Sequence, residues 1–123
     1  MNAMEWARSG RFSITRTRHG EIVVLHVAGD LDVLTAPSLG TQLDVALSDA
    51  PAVLIVDITG VEFLSSAGIS MLVETHRLTE RAGLSLRIVA DGSTTSRPIR
   101  MMRIDEIIDL YPTVAEAMDG RRP

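Results

Sequence analysis

Neither cysteine nor lysine occurs among the 123 residues, and aromatic side chains are nearly as scarce: Trp6, Phe12, Phe63 and Tyr111 are the whole set. Without Cys the chain can build no disulfide, no thiol nucleophile and no thiolate zinc site. Without Lys it has no amine for a Schiff base and no lysine for a phosphate-binding loop. The basic residues are therefore all Arg, twelve of them. His19, His26 and His76 stand far apart and never form an H-x-x-x-H pair, so a helical metal site is not expected. A net charge of −4 with so few aromatics offers neither the basic stripe nor the stacking platform of a nucleic-acid surface. No apolar run approaches the ~20 residues of a membrane span. Residues 1–12 lack the apolar stretch of a signal peptide. The expectation is a cytoplasmic protein with no metal or cofactor, no nucleic acid and no membrane.

What is present reads as one domain. Apolar residues make up 46% of the chain, and a chain of this length buries enough of them to stand without staples. Residues 1–11 show no periodicity and read as a loose leader, with Met4 as an alternative start; residues 119–123 read as a tail. Residues 12–18 alternate apolar or β-branched with polar side chains, the pattern of a strand with one wet face. His19-Gly20 turns the chain into 21–28, a nearly continuous apolar run that predicts a strand covered on both faces. A loop over 29–34 leads to Thr35, placed to cap a helix, with Pro37 in the first turn where it is tolerated. Leu39, Leu43, Ala46 and Leu47 form the buried stripe of that helix.

Residues 52–58 predict a second buried strand, closed by Thr59-Gly60. Ser65 and Ser66 then precede a helix whose stripe runs through Ile69, Leu72, Val73 and His76, with Gly83 as its C-cap. A strand over 84–90, a short helix within 94–103, a last strand over 107–110 and a helix over 113–118 capped by Thr113 complete the chain. Two strand–helix–strand units make an α/β layer fold whose sheet is mixed with a parallel core. The loops 29–35 and 60–66 then leave the same edge of the sheet, where α/β folds usually carry their sites.

Few side chains at that edge suit catalysis. The run 64–68 lacks the first Gly of a nucleophile elbow, and no His stands beside it as a base. His76 follows Ser66 by nearly three turns on the apolar stripe and reads as a partly buried core residue. Asp30 and Asp32 are two loop carboxylates without a third ligand, and Asp57 reads as a group that bonds backbone. Arg97, Arg100 and Arg103 form a solvated basic face or part of a protein interface. The Ser pair admits two compatible readings. Either hydroxyl can cap the helix, while an exposed Ser at a helix start is a place where a phosphate is favoured by the N-terminal amides.

The segments Gly29-Asp30-Leu31-Asp32, Thr35-Ala36-Pro37-x-Leu39, V-L-I-V-D-I and Val61-x-Phe63-Leu64-Ser65-Ser66-Ala67-Gly68-Ile69 together resemble the STAS family, and more narrowly its bacterial anti-sigma factor antagonists. The resemblance spans residues 12–118. It implies a partner switch: the antagonist binds an anti-sigma factor that is also a serine kinase, and so frees the sigma factor. Phosphorylation of a Ser at the start of the second helix ends binding, and a phosphatase reverses it. In the family motif Asp-Ser-Ser/Thr-Gly the first Ser is the acceptor, which assigns that role to Ser66 and the motif Gly to Gly68. The partner-binding set implied is Asp30, Asp32, Thr35, Ser65, Ser66, Gly68 and Ile69, with a monomer or weak dimer as the expected state.

Four positions depart from the family pattern. Ser65 stands in place of the motif Asp, Ala67 in place of the second hydroxyl, Asp30 in place of Glu, and Arg103 where relatives tend to have Gly. Loss of the motif Asp implies slower phosphorylation or a different kinase. It also keeps open a STAS domain that is never phosphorylated, a scaffold or ligand-sensing subunit of a larger assembly. A small-ligand-binding protein or enzyme of the same layered fold is the third class. In the partner-switch reading the chain is no enzyme but the substrate of one.

Overall fold

Two runs of apolar, largely β-branched residues lie side by side at the heart of the sheet and decide its shape. They are part of β2 (Ile22–Leu31) and β3 (Val53–Leu64), paired in parallel from Ile22↔Val53 onward. The computed structural model describes residues 12–120, so the expected leader at 1–11 and most of the expected tail lie outside the described residues. The remaining elements, in chain order, are β1 (Ser13–His19), α1 (Ala36–Ser48), α2 (Ser66–Ala82), β4 (Ser85–Val89), α3 (Ser96–Met101), a 3-10 turn (Ile104–Glu106), β5 (Asp109–Tyr111) and α4 (Val114–Asp119).

The five strands lie in sequence order, β1-β2-β3-β4-β5. The first pair is antiparallel and the other three are parallel. Successive right-handed crossovers that always step to the next strand must put their helices on one face of the sheet. The main core fits this. Val23, Leu25 and Val27 of β2, Leu54, Val56 and Ile58 of β3, and Leu86 and Ile88 of β4 pack with Leu39 and Leu43 of α1, Leu72 of α2 and Ile99 of α3. Across the sheet, α4 brings Ala117 onto Val24, Ile55, Val89 and Tyr111. Strands covered on both faces in this way need apolar residues at successive positions rather than alternate ones, as the unbroken buried run Val23, Val24, Leu25 shows.

Local signals set several boundaries. Thr113 caps α4 by accepting from the Glu116 amide at 3.1 Å. Gly83 ends α2 in the left-handed conformation, at φ +76, as a C-cap Gly should. The expected turn at His19-Gly20 lies one residue later: His19 pairs with Ile22, and Gly20 takes φ +62 within the two-residue Gly20-Glu21 connection. Strand β1 is exposed at every position but the half-buried Ile14, so it has an edge-strand character rather than one dry face. Arg16, which pairs with Asp49, and Arg18 help guard that edge against other chains.

The largest departures from the expected boundaries are at the carboxyl ends of β2 and β3. Residues 29–31 and 60–64, expected as loops, are paired strand: Gly29 lies opposite Val61, Asp30 opposite Phe63 and Leu31 opposite Leu64. Register shifts between His26/Ala28 and Gly29/Asp30 take up the irregular residues, and Gly29 sits at φ +96. Gly60 allows the close approach of Ala28, whose Cβ would lie 3.1 Å from a Cβ at position 60. These glycines mark bulges, not strand ends.

The final strand is also displaced. Ile107 and Ile108 follow the 3-10 turn, and pairing with β4 begins only at Asp109, so the strand expected over 107–110 runs instead from Asp109 to Tyr111. Helix α4 extends to Asp119, one residue beyond the end expected for that helix.

Candidate functional site

The edge at which β2 and β3 end builds the site from two short connections. After Leu31, the segment 32–35 is tied down by its own side chains. The Asp32 carboxylate accepts from the Leu34 amide at 2.9 Å and the Thr35 amide at 3.1 Å, an Asx-type turn. The Thr35 hydroxyl donates to the Asp30 carbonyl at 2.6 Å and accepts from the Asp32 amide at 2.9 Å. Thr35 therefore occupies the N-cap position of α1 without capping it through its side chain. The expected cap gives way because the backbone at Thr35 is already αR, at φ −99 and ψ −21, and its buried hydroxyl turns back to lace the loop.

The second connection is sharper. The Ser65 amide donates to the Leu31 carbonyl at 3.0 Å, and α2 starts at the next residue. Ser65 is extended, at φ −88 and ψ 169, and its hydroxyl accepts from the Gly68 amide at 3.3 Å. That is an N-cap in geometry. With the cap supplied by Ser65, the Ser66 side chain is left exposed, and its hydroxyl has no partner among the described residues. It stands on the first turn of a 17-residue helix that carries no acidic residue in that turn. The positive end of the helix dipole and its unpaired amides make this a favourable place for a covalently attached anion.

The implied set of seven residues separates into two groups. Asp30 and Asp32 are half-buried in the β2 end and its turn, Ser65 is half-buried at the cap, and Ser66 is exposed. Thr35, Gly68 and Ile69 are buried, so they hold the two connections in place from beneath rather than meeting solvent. At the carboxyl ends of β2 and β3 the structure exposes three apolar residues the sequence reading left out. Val33 and Leu34 are 71% and 61% exposed at the turn, and Phe63 is 53% exposed on the neighbouring strand end. The signal was there for the first two: a Val-Leu pair falls outside the Leu39/Leu43/Ala46 stripe and has no periodic claim on the core. Exposed apolar side chains at such an edge suit a protein-docking surface.

The structure also pairs groups that the sequence separates by 31 residues. His26 Nδ1 lies 2.9 Å from Asp57 Oδ2, across the β2–β3 register. The other Asp57 oxygen accepts from the Thr59 amide at 3.0 Å and its hydroxyl at 2.7 Å, while Thr17 Oγ1 lies 3.4 Å from His26 Nε2. Asp57 thus bonds backbone, as read from the sequence, and in addition gives a histidine the carboxylate support that was not expected. This group is remote from Ser66: seven strand residues at ~3.3 Å rise separate Asp57 from Leu64 alone, on the order of 20 Å. It cannot serve as a base for the Ser66 hydroxyl. His76 is half-buried, 3.8 Å from Glu80, and Arg97, Arg100 and Arg103 are all exposed. Among the described residues no three His, Asp or Glu side chains gather into a metal-binding group, and no helix is long and apolar enough to cross a membrane.

The family model of the STAS domain matches residues 13–117. The anti-sigma-F factor antagonist RsfB of Mycobacterium tuberculosis is 35% identical over 112 residues, covering 89% of each chain. The anti-sigma-B factor antagonist of Bacillus subtilis is 28% identical over 98 residues, covering 80% of this chain and 86% of its own. Among solved structures, a crystal structure of an anti-sigma factor antagonist from Mycobacterium paratuberculosis superposes with a TM-score of 0.84 at 30% identity, covering 91% of this chain and 95% of the other.

Proposed function

The chain belongs to the STAS domain family, and from that premise we propose that it works as a phosphorylation-controlled partner switch. Unphosphorylated, it binds an anti-sigma factor that is also a serine kinase, and the sigma factor is released. Transfer of a phosphoryl group from ATP to the Ser66 hydroxyl ends the binding, and a phosphatase resets the switch. On this reading the protein is a cytoplasmic regulator of transcription, a monomer or weak dimer, and the substrate of a kinase rather than an enzyme.

One observation carries the reading. Ser65 takes the capping bond, so Ser66 presents an unbonded, exposed hydroxyl where β3 ends, at the sheet edge that also exposes Val33, Leu34 and Phe63. In the free protein a phosphate at that helix start is stabilised by nearby amides. Against a partner the same group is a dianion inside a contact that must lose its water. Burying such a charge unpaired costs several kcal/mol, enough to turn tight binding into weak. Asp30 and Asp32 flank the apolar residues and give the surface a negative character even before modification.

The test is to incubate the protein with the anti-sigma kinases of its host and ATP and to locate any phosphate by mass spectrometry. The phosphate is expected on Ser66. Ser66→Ala keeps partner binding, and Ser66→Glu weakens it at least tenfold, about 1.4 kcal/mol. An unchanged affinity in the Glu variant removes the switch. A second reading rests on Ser65 and on the acid-free first turn of α2. If no kinase modifies Ser66, the domain is an unphosphorylated scaffold or ligand-sensing subunit that uses the same surface.

A further inference from the structure

A second exposed surface lies where the chain leaves β4 and forms α3. From residue 92 to 104 the sequence G-S-T-T-S-R-P-I-R-M-M-R-I carries three Arg and no acid, in a chain of net charge −4. Arg97 and Arg100 are exposed, and neither guanidinium has a hydrogen bond or ion pair among the described residues. With Asp91, Ser93 and Met101 they line a shallow trough of ≈ 560 Å³. Two cations against one carboxylate leave that trough with a surplus of positive charge.

An exposed apolar side chain, Met101, belongs to its lining, and Met102 follows it in the chain. Met101 is 72% exposed and Met102 55%. The platform beneath is firmly held. Ile99 is buried in the main core, the Ser96 hydroxyl donates to the Gly92 carbonyl at 2.8 Å, and Thr95 is buried beside it. Arg103 takes a left-handed conformation at φ +60, which a non-glycine residue adopts only under constraint. Its guanidinium is 3.9 Å from Glu106, a loose surface pair that leaves it able to meet another partner.

We propose that this corner is a second docking surface, distinct from the Ser66 edge, for an acidic segment of a partner protein in which carboxylates alternate with large apolar side chains. The two features require each other's explanation. A small anion would satisfy Arg97 and Arg100 but leave Met101 and Met102 in water. A second copy docked through this same patch would bring a second set of Arg side chains to it. An extended acidic-apolar segment pairs its carboxylates with the guanidiniums and lays its apolar residues on the methionines, whose flexible thioethers adapt to varied shapes. Asp91 sets the polarity of the trough by accepting from backbone amides or hydroxyls of such a segment.

The test titrates a short synthetic peptide alternating glutamate and leucine into the isotopically labelled full chain and follows amide shifts. Saturable shifts confined to residues 91–107 are expected, and none from the matching lysine–leucine peptide. The double variant Arg97→Glu/Arg100→Glu, at exposed positions that leave thermal stability unchanged, should weaken binding at least ~tenfold. Met101→Ser should weaken it about threefold, the share of one exposed apolar contact. Equal binding by the double variant, or shifts centred on the Ser66 edge, overturns the proposal. So does inorganic phosphate matching the peptide in strength, tighter binding to vesicles of anionic lipid, or self-association through these residues. Repeating the titration on Ser66→Glu should give the same affinity, so failure of the Ser66 switch and failure of this surface are told apart.

Discussion

A Cβ placed on Gly68 would lie 2.8 Å from Cγ of Leu31, closer than real side chains approach. The first turn of α2 therefore rests directly on the last residue of β2, and Leu64 of β3 closes the contact from the other side, its Cδ1 at 3.0 Å. Because Leu31 also receives the Ser65 amide on its carbonyl, one buried leucine fixes the start of the helix through both its side chain and its backbone. The exposed Ser66 hydroxyl owes its position to that seat.

Gly68→Ala tests the seat. In an open helix this change stabilises by about 1 kcal/mol. Here the added methyl meets Leu31 and Leu64, and overpacking of that kind costs typically 1–3 kcal/mol. A lower midpoint in denaturant is expected, with the largest amide shifts at residues 31 and 64–69. A variant more stable than the parent would mean the helix is not held against Leu31.

Ser65 carries the cap, and two substitutions separate its roles. Ser65→Ala removes the acceptor for the Gly68 amide and should cost about 1 kcal/mol of stability. Ser65→Asp retains an acceptor, adds a negative charge at the positive end of α2 and restores the residue of the family motif. Its stability should equal or exceed the parent's, and its phosphorylation by the cognate kinase should be faster. A kinase rate unaffected by Asp would show that Ser65 does not limit modification.

The exposed apolar residues at the Ser66 edge should matter for binding and not for folding. Leu34→Ser and Phe63→Ala remove side chains that are mostly in water, so unfolding free energies should change by no more than about 0.5 kcal/mol. Affinity for the anti-sigma partner, measured by calorimetry, should fall at least ~tenfold for Phe63→Ala if it anchors the contact. Undiminished affinity in both variants would place the docking surface elsewhere.

Among the described residues, two without glycine's freedom hold left-handed backbone: Ala50 at φ 49 and Arg103 at φ 60. Such a conformation costs an L-residue roughly 1–2 kcal/mol, partly offset in a glycine variant by the greater freedom of its unfolded chain. Ala50→Gly and Arg103→Gly should each raise stability by up to about 1 kcal/mol. Thermal unfolding checks this, and a lower midpoint in both would rule out strain at these turns.

Sequence alone determined what depends on neighbours along the chain. The stripe Leu39, Leu43 and Ala46 named the buried side of α1, Gly83 and Thr113 named helix ends, and the Ser65-Ser66 pair marked the start of α2. Those signals are legible because capping and helical periodicity act within a few residues. Tertiary structure alone decided what depends on contacts between distant segments. Gly29 and Gly60 look like breaks, yet pairing between β2 and β3 carries both strands past them through bulges. The Thr35 hydroxyl, a good cap by type, found stronger partners in its own loop. Ile69 and Phe63 are both apolar neighbours of the Ser pair, and only the seat on Leu31 shows that the first is buried and the second faces water. His26 and Asp57 meet because parallel register aligns them, a relation no local pattern can encode. A backbone that could bond either to itself or to a partner strand is settled by the partner, and the partner is known only once the sheet has formed.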